Sequence, residues 1–361
     1  MKKKIKLFDP NIGKDEKQKI SQVLESKFWA SGSGTGNVLK FENQFKKYLS
    51  SDDCVAVNSG TSALNLALSL IDIKKKEVIL PSLSFVSTAH AVIINGGTPV
   101  FVDIEPETMC IDPNEIQKSI TPKTTAILPV HFGGFPCNLK DIQNIAEKHN
   151  LTIIEDAAHA VGATYNNKKI GNHGTAVCFS FHPVKNLAMP TGGLISINHK
   201  NHKQFKKTLL ARRWCGITDR IGSEYNVKEL GWNYYMNEFS AVIGLAQLKK
   251  LNRLNNIRKN IAKFYDNQID VEHKTVFNKD CSYHLYWILV KNRKKFREKM
   301  WKAGIETGTH YKPIHTMKMY QNHTVLLNTE RVGKQIVTIP IHPNLKTFEM
   351  DKIVSSINKF A

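Results

Sequence analysis

The apolar positions of this chain change their period along its length. Residues 14–26 and 37–49 place apolar side chains at helical spacing, as amphipathic helices do. Between them Trp29, Ala30, Ser31, Gly32, Ser33 and Gly34 form a flexible polar bridge. From Cys54 on, short apolar runs take over, at 54–58, 77–80, 99–103, 125–130, 151–155 and 176–181. They are rich in Val and Ile and bounded by turn residues, so they read as buried strands. Helical segments at 61–72, 85–95, 112–120 and 138–149 separate several of them. This alternation predicts an α/β fold, with a mostly parallel central sheet covered by helices on both faces. Ligands of such sheets sit at the carboxyl ends of the strands.

A long helical pattern runs from about 237 to 269. Beyond it come a strand-like run from His284 to Val290, a helix over 293–303, a glycine-containing step at 304–308 and a terminal helix near 346–359. A chain of 361 residues is long for one core. We expect a large domain over 14–250 and a smaller αβ domain over 251–361, with residues 1–13 packing on the latter.

The stretch Val177 to Gly193 carries the first candidate chemistry. Val177, Cys178, Phe179, Ser180 and Phe181 form a strand that breaks at His182-Pro183. Lys185 lies just past the strand, and the next strand is Leu194 to Ile197. Pro190 and the Gly192-Gly193 pair forbid a regular helix between them. A lysine fixed between two apolar strands can lose solvent, and then holds a lowered pKa and a nucleophilic amine. A Schiff base to a carbonyl compound such as pyridoxal phosphate (PLP) requires that. Alone, Lys185 reads equally as a surface lysine, one among 51 Lys and Arg.

Other candidates also follow strands. Asn58-Ser59-Gly60-Thr61-Ser62-Ala63-Leu64 opens a helix, so the N–H groups of Gly60 to Ser62 can face a phosphate, while Ser59 or Thr61 can cap the helix. Asp156 ends another strand and is followed by Ala157-Ala158-His159. A carboxylate there can pair with a protonated pyridine nitrogen. Ala158 would let a flat ring approach, and His159 could reach a ring oxygen. Asp103 competes for the carboxylate role, since it too ends a strand, without the small residues and histidine. Phe85, after Pro81-Ser82-Leu83-Ser84, could stack on a planar heterocycle opposite Ala158.

Charge complicates the picture, because the formal net charge is +20. The basic residues are scattered, however, with short clusters at Lys74-Lys75-Lys76 and from Lys291 to Arg297. No zinc-finger spacing or basic–aromatic repeat accompanies them, so nucleic-acid binding is not expected. No metal site is expected either. Cys54, Cys110, Cys137, Cys178, Cys215 and Cys281 lie far apart, without a C-x-x-C pair, and read as reduced thiols. No apolar run is long enough for a bilayer, and MKKKIKLFDP lacks the apolar core of a secretory signal. A cytoplasmic, membrane-free protein is expected.

Taken together these stretches resemble the DegT-type sugar-nucleotide aminotransferases, PLP enzymes of the aspartate-aminotransferase fold, fold type I. The matching segments are Asn58 to Leu64, Pro81 to Phe85, Glu155 to Ala160 and Ser180 to Asn186. Gly231-Trp-Asn-Tyr-Tyr-Met-Asn-Glu238, Gly244 to Leu248 and His310-Tyr-Lys-Pro-Ile-His315 continue the likeness. The resemblance implies that Lys185 carries PLP covalently and moves the proton, that Asp156 pairs with the pyridine nitrogen, and that His159 orients the ring oxygen. It implies Gly60, Thr61, Ser62 and Ser180 for the phosphate. It also implies that Asn233 reaches the partner subunit's cofactor, so that a homodimer shares its sites. Arg212 or Arg213, Arg220, His310 and Tyr311 fall where the family handles donor carboxylate or sugar nucleotide. The implied reaction moves an amino group from L-glutamate, through pyridoxamine phosphate (PMP), to a nucleotide-linked keto-sugar, for amino-sugar or polysaccharide assembly. Two departures stand out: Pro190-Thr191 replaces a Gly-Glu pair, and Tyr235 stands where arginine is common. A lyase branch, the sugar 3-dehydratases, has histidine in place of the lysine, so Lys185 favours transamination. A dehydrating lyase and a non-catalytic nucleic-acid-binding regulator remain the alternatives.

Overall fold

The computed structural model describes residues 4–321 and 324–361. Its first elements are the helices α1 (Lys14–Ser26) and α2 (Asn37–Leu49). Alternation follows: β1 (Asp53–Val57), α3 (Gly60–Leu68), β2 (Glu77–Pro81), α4 (Ser87–Ile94), β3 (Thr98–Val102), α5 (Pro113–Ser119), β4 (Thr124–Ile127), α6 (Leu139–His149) and β5 (Thr152–Asp156). A small hairpin, β6 (Thr164–Tyr165) and β7 (Lys168–Lys169), precedes β8 (Ala176–Ser180) and β9 (Gly193–Ile197). Then come α7 (His202–Arg212), a second hairpin of β10 (Ile217–Ile221) and β11 (Glu224–Val227), and α8 (Glu238–Gln268). The chain ends with β12 (Tyr286–Leu289), α9 (Arg293–Lys302), α10 (Leu327–Gln335), β13 (Ile336–Ile339) and α11 (Thr347–Phe360).

Seven strands form the central sheet in the order β1-β9-β8-β5-β4-β2-β3. All run in one direction except β9, which is antiparallel to both β1 and β8. The twelve residues between β8 and β9, interrupted by Pro183, Pro190 and Gly192, form turns and no crossover helix, and the chain returns antiparallel. β1, β8 and β9 are buried along almost their whole length, as expected of a sheet covered on both faces. Neighbouring residues divide between the two layers. Cys54 and Ala56 join the cluster of Phe41, Phe45 and Phe179, while Val55 and Val57 join that of Leu66 and Val92.

Helix α2 buries Val38, Phe41, Phe45 and Leu49 on one face against α8 and β1. Glu16 accepts from the Gly13 N–H at 2.8 Å, capping α1, and its other oxygen pairs with Lys250 of α8 at 2.6 Å. Asn237 caps α8, its side chain accepting from the Ser240 N–H at 2.8 Å. The 31 residues of α8 run unbroken through 250. Its later turns hold the C-terminal region, with Tyr265 Oη donating to Pro340 O and Arg258 to Ile341 O. Residues 4–13 lie against the same region. Ile5 exchanges backbone hydrogen bonds with Gly304 and Glu306, and Asn11 donates to Asn344 at 2.7 Å.

The hairpin of β10 and β11 has no counterpart in the apolar pattern. Its residues are mostly exposed and present no alternating apolar face, so the period that marks a half-buried strand is missing. All six cysteines are unpaired, and only Cys215 is exposed.

Candidate active site

Because β1, β2, β5 and β8 point the same way, their carboxyl ends converge. Residues just past those ends line one cavity of about 400 Å³. Gly60 and Thr61 come from the β1 side, Phe85 from β2, Asp156, Ala158 and His159 from β5, and Ser180 and Lys185 from β8. His310 and Tyr311 enter from the C-terminal region.

Register explains how the phosphate-type loop fits. Val57 and Ser180 both pair with Gly193, one on each side. A Cβ on Gly193 would lie 2.2 Å from Ser59 O, and one on Gly60 would lie 2.6 Å from Ser180 Cβ. Only glycine permits either approach. Ser59 caps α3 through the Ser62 N–H at 3.1 Å, and the Ser62 hydroxyl donates to Asn58 Oδ1 at 2.6 Å. Ser62 is therefore committed to the loop and does not line the cavity. The N–H groups of Gly60 and Thr61 open the helix, where backbone donors have no intrahelical acceptor and an anion is favoured. The hydroxyls of Thr61 and Ser87 meet at 2.8 Å beside them.

Asp156 is buried, and burial raises its carboxyl pKa. The Ala158 N–H and the Thr88 hydroxyl, at 3.1 and 2.8 Å, oppose that shift by donating to the carboxylate. The single Thr88 proton has Asp156 and, at 3.0 Å, Phe85 O as acceptors, so the Ser84 hydroxyl, 2.7 Å away, donates to Thr88 in turn. Thr88 sits within a segment read only as helix from sequence, and Ser84 in the loop before it, where only Phe85 was given a role. A hydroxyl three residues after Phe85 was the signal that could have singled them out.

Burial lowers the Lys185 amine from 10.5 to about 8, with the Asp156 carboxylate acting against it. His159 is buried and stays neutral, its pKa well below the ordinary value through burial and then the Lys185 charge. Its Nδ1 accepts from the Gly133 N–H at 3.2 Å, so the ring proton is on Nε2, which donates to Tyr311 Oη at 3.0 Å. Burial lowers His310 to about 4 and raises Tyr311. Phe85 is 57% exposed at the cavity mouth and tilts against Tyr311, ring centres 6.1 Å apart. His284 was hidden in an apolar run read as strand. Its Nε2 lies 3.4 Å from Lys185 Nζ.

Several candidates lie elsewhere. Asn233 is exposed, with its carbonyl accepting from Asn58 at 3.3 Å; its side chain makes no hydrogen bond among the described residues. Arg213 is fully buried, donating to Glu42 at 2.6 Å, to Ala56 O and to Ser33 O, so its charge serves the core rather than the cavity. Arg212 pairs with Glu229 at 2.7 Å and donates to Ser69 O. Arg220 is exposed on the hairpin, over the Trp214 ring. Asp103 faces away: it accepts from Asn328 N–H, Thr329 N–H and the Thr329 hydroxyl, capping α10 from outside.

The arrangement suits a flat, anionic carbonyl compound. It offers an anion-binding helix end, an aromatic wall, a buried carboxylate and an amine of lowered pKa in one cavity. A profile of the DegT/DnrJ/EryC1/StrS aminotransferase family matches residues 10–358. An uncharacterised protein of Methanocaldococcus jannaschii is 34% identical over 377 aligned residues, covering 98% of this chain and 96% of its own. Among solved structures, PseC of Helicobacter pylori, an aminotransferase involved in pseudoaminic acid biosynthesis, superposes with a TM-score of 0.93 at 30% identity, over 99% of both chains. DesV of S. venezuelae gives 0.88 at 30% identity, over 95% of this chain and 93% of its own. A Streptococcus pneumoniae protein solved in PLP and PMP forms gives 0.92 and 0.93 at 25% identity, over 99% of this chain and 98% and 97% of its own. With fold and sequence pattern shared along nearly the whole length, the chain belongs to the DegT/DnrJ/EryC1/StrS aminotransferase family and is a PLP-dependent aminotransferase of fold type I.

Proposed function

We propose that this enzyme moves an amino group from L-glutamate to a nucleotide-linked keto-sugar, yielding an amino sugar for polysaccharide or glycan assembly. The observation that carries the reading is the Lys185 amine, its pKa lowered to about 8, in one cavity with buried Asp156 and the opening of α3. PLP, when bound, supplies an electron sink for the bond broken at the donor carbon. Gly60 and Thr61, with Ser180, hold its phosphate by backbone and hydroxyl donors. Phe85 and Ala158 flank the ring, and Asp156 holds a proton at the ring nitrogen. His159 orients the ring oxygen. Lys185 would hold the cofactor at its carbonyl, and its amine would move the proton at the donor carbon.

A second cavity supports the nucleotide-linked substrate. It measures about 900 Å³ and shares Val184 with the first. Arg293, Lys294 and Arg297 line it beside Trp301, together with Glu298 and Glu306. Neither guanidinium has a carboxylate partner among the described residues. Arg297 is held by Thr307 and Arg293 by Gly333 O, with each other's charge close by. A diphosphate would relieve that repulsion. Relatives described as sugar aminotransferases support a sugar as the acceptor.

A homodimer with shared sites fits the exposed Asn233 amide and the exposed apolar residues Phe28, Trp29, Ile221, Tyr225 and Leu230. Five buried free thiols fit a reducing, cytoplasmic setting. The test is a screen of keto-sugar nucleotides with glutamate, read by product mass. A product that keeps the new amine establishes the transferase. Loss of water without amine gain establishes the lyase instead.

A further inference from the structure

We propose that His284 is a positioning residue that receives the Lys185 amine whenever that amine is not covalently engaged, and so sets its aim and proton affinity. This rests on Lys185 being the reacting lysine. His284 is 1% exposed, and its Nε2 is the hydrogen-bond partner of Lys185 Nζ among the described residues, at 3.4 Å. The imidazole is clamped between two rings. Phe8 stacks on it with centres 5.6 Å apart and planes 17° apart, and His159 lies 4.4 Å from it on a tilt. An imidazole held this way has little freedom to leave the lysine.

Packing alone does not explain a histidine here. Its Nδ1 is buried without a partner, which costs free energy that phenylalanine or leucine would avoid. What the imidazole adds is a lone pair aimed at Nζ. His284 stays neutral, through burial first and then the positive charge of Lys185. With the proton on Nδ1, Nε2 accepts from the Lys185 ammonium. The other charged and titratable groups near these two are Asp156, His182, His159, His310 and, from α8, Arg258. Asp156 alone among them favours the ammonium. His284 thus supplies the near contact that holds the amine in place between steps.

The experiment uses the full-length chain freed of cofactor. Lys185 is labelled with trinitrobenzenesulfonate across pH and read by peptide mass. The wild-type midpoint should lie near 8. His284→Phe keeps the ring packing and removes the acceptor, so the midpoint should fall by about one unit. His284→Gln, whose carbonyl can accept the same hydrogen bond, should restore it. His284→Asn is too short to reach Nζ and should follow the Phe variant, giving the same comparison should Phe fail to fold. In the holoenzyme, the Phe or Asn variant should lower kcat about tenfold with little change in donor KM. A wild-type midpoint in both Phe and Asn variants overturns the proposal. So does a Gln variant that stays shifted with them. The labelling needs neither cofactor nor substrate, so its failure is separate from a failure of the aminotransferase reading.

Discussion

Asp156 is buried with its carboxylate at the cavity, while Asp103 spends its oxygens on three donors at the start of α10. The two mutants should therefore fail differently. Asp156→Asn should fold normally and lose most activity, since an unprotonated ring nitrogen is a poor electron sink. Asp103→Asn should keep its kcat and lose about 1 kcal/mol of stability, as a lost helix cap does, seen in thermal unfolding. The reverse result would mean the carboxylate role lies on β3. Lys185 gives a second pair of expectations. Its folded amine is lowered to about 8, so the reactive free base is half populated there and disappears as pH falls below it. Borohydride should trap PLP on Lys185, and the rate at which free PLP is captured should rise through pH 8 rather than 10.5. Lys185→Ala should lose at least ~10²–10⁴-fold in activity. Lys185 and Asp156 were legible because each stands where a buried strand gives way to turn residues. His284 was not, because a histidine at the head of an apolar run looks like strand. The arginines misled for a related reason: the stretch Leu209 to Ile217 around Arg213 holds no acid, and only the folded chain shows Glu42 beside it.

Elements carry their own consequences. The loop before α3 depends on two missing side chains, at Gly60 and Gly193, on neighbouring segments. Gly193→Ala should push Ser59 and Gly60 away from Ser180 and weaken PLP affinity by tenfold or more, about 1.4 kcal/mol, as a cofactor titration would show. A wild-type affinity would mean that the loop can yield without cost. Arg213 ties the end of α7 to α2, to β1 and to the turn at Ser33. Arg213→Ala leaves Glu42 buried without its partner and should cost about 3–5 kcal/mol in denaturant unfolding. Helices α1 and α2 were readable because each buries one face, and the sheet strands because burial on both faces leaves short apolar runs. The hairpin of β10 and β11 was not, because it buries almost nothing among the described residues and so presents no alternating apolar face.

At the scale of the whole molecule, the proposed shared site makes a direct prediction. Lys185→Ala and Asn233→Ala subunits, each nearly inactive, should regain some activity on mixing, because a heterodimer holds one site with both residues intact. Dilution should release cofactor and activity together. A fully active monomer by light scattering would end the shared-site idea. The long α8 has a further consequence, for recombination between relatives. Groups that meet at Lys185 come from before and after it: Asp156 and His159 precede α8, while His284, His310 and Tyr311 follow it. The helix therefore transmits angle as well as length. One residue inserted after exposed Asn252 would turn everything beyond by about 100° and advance it about 1.5 Å. Arg258 and Tyr265 would leave their carbonyls, and the tail of the site would miss its head without any site residue being altered. Chimeras joined inside α8 should work only when the two parents are matched residue for residue across the splice.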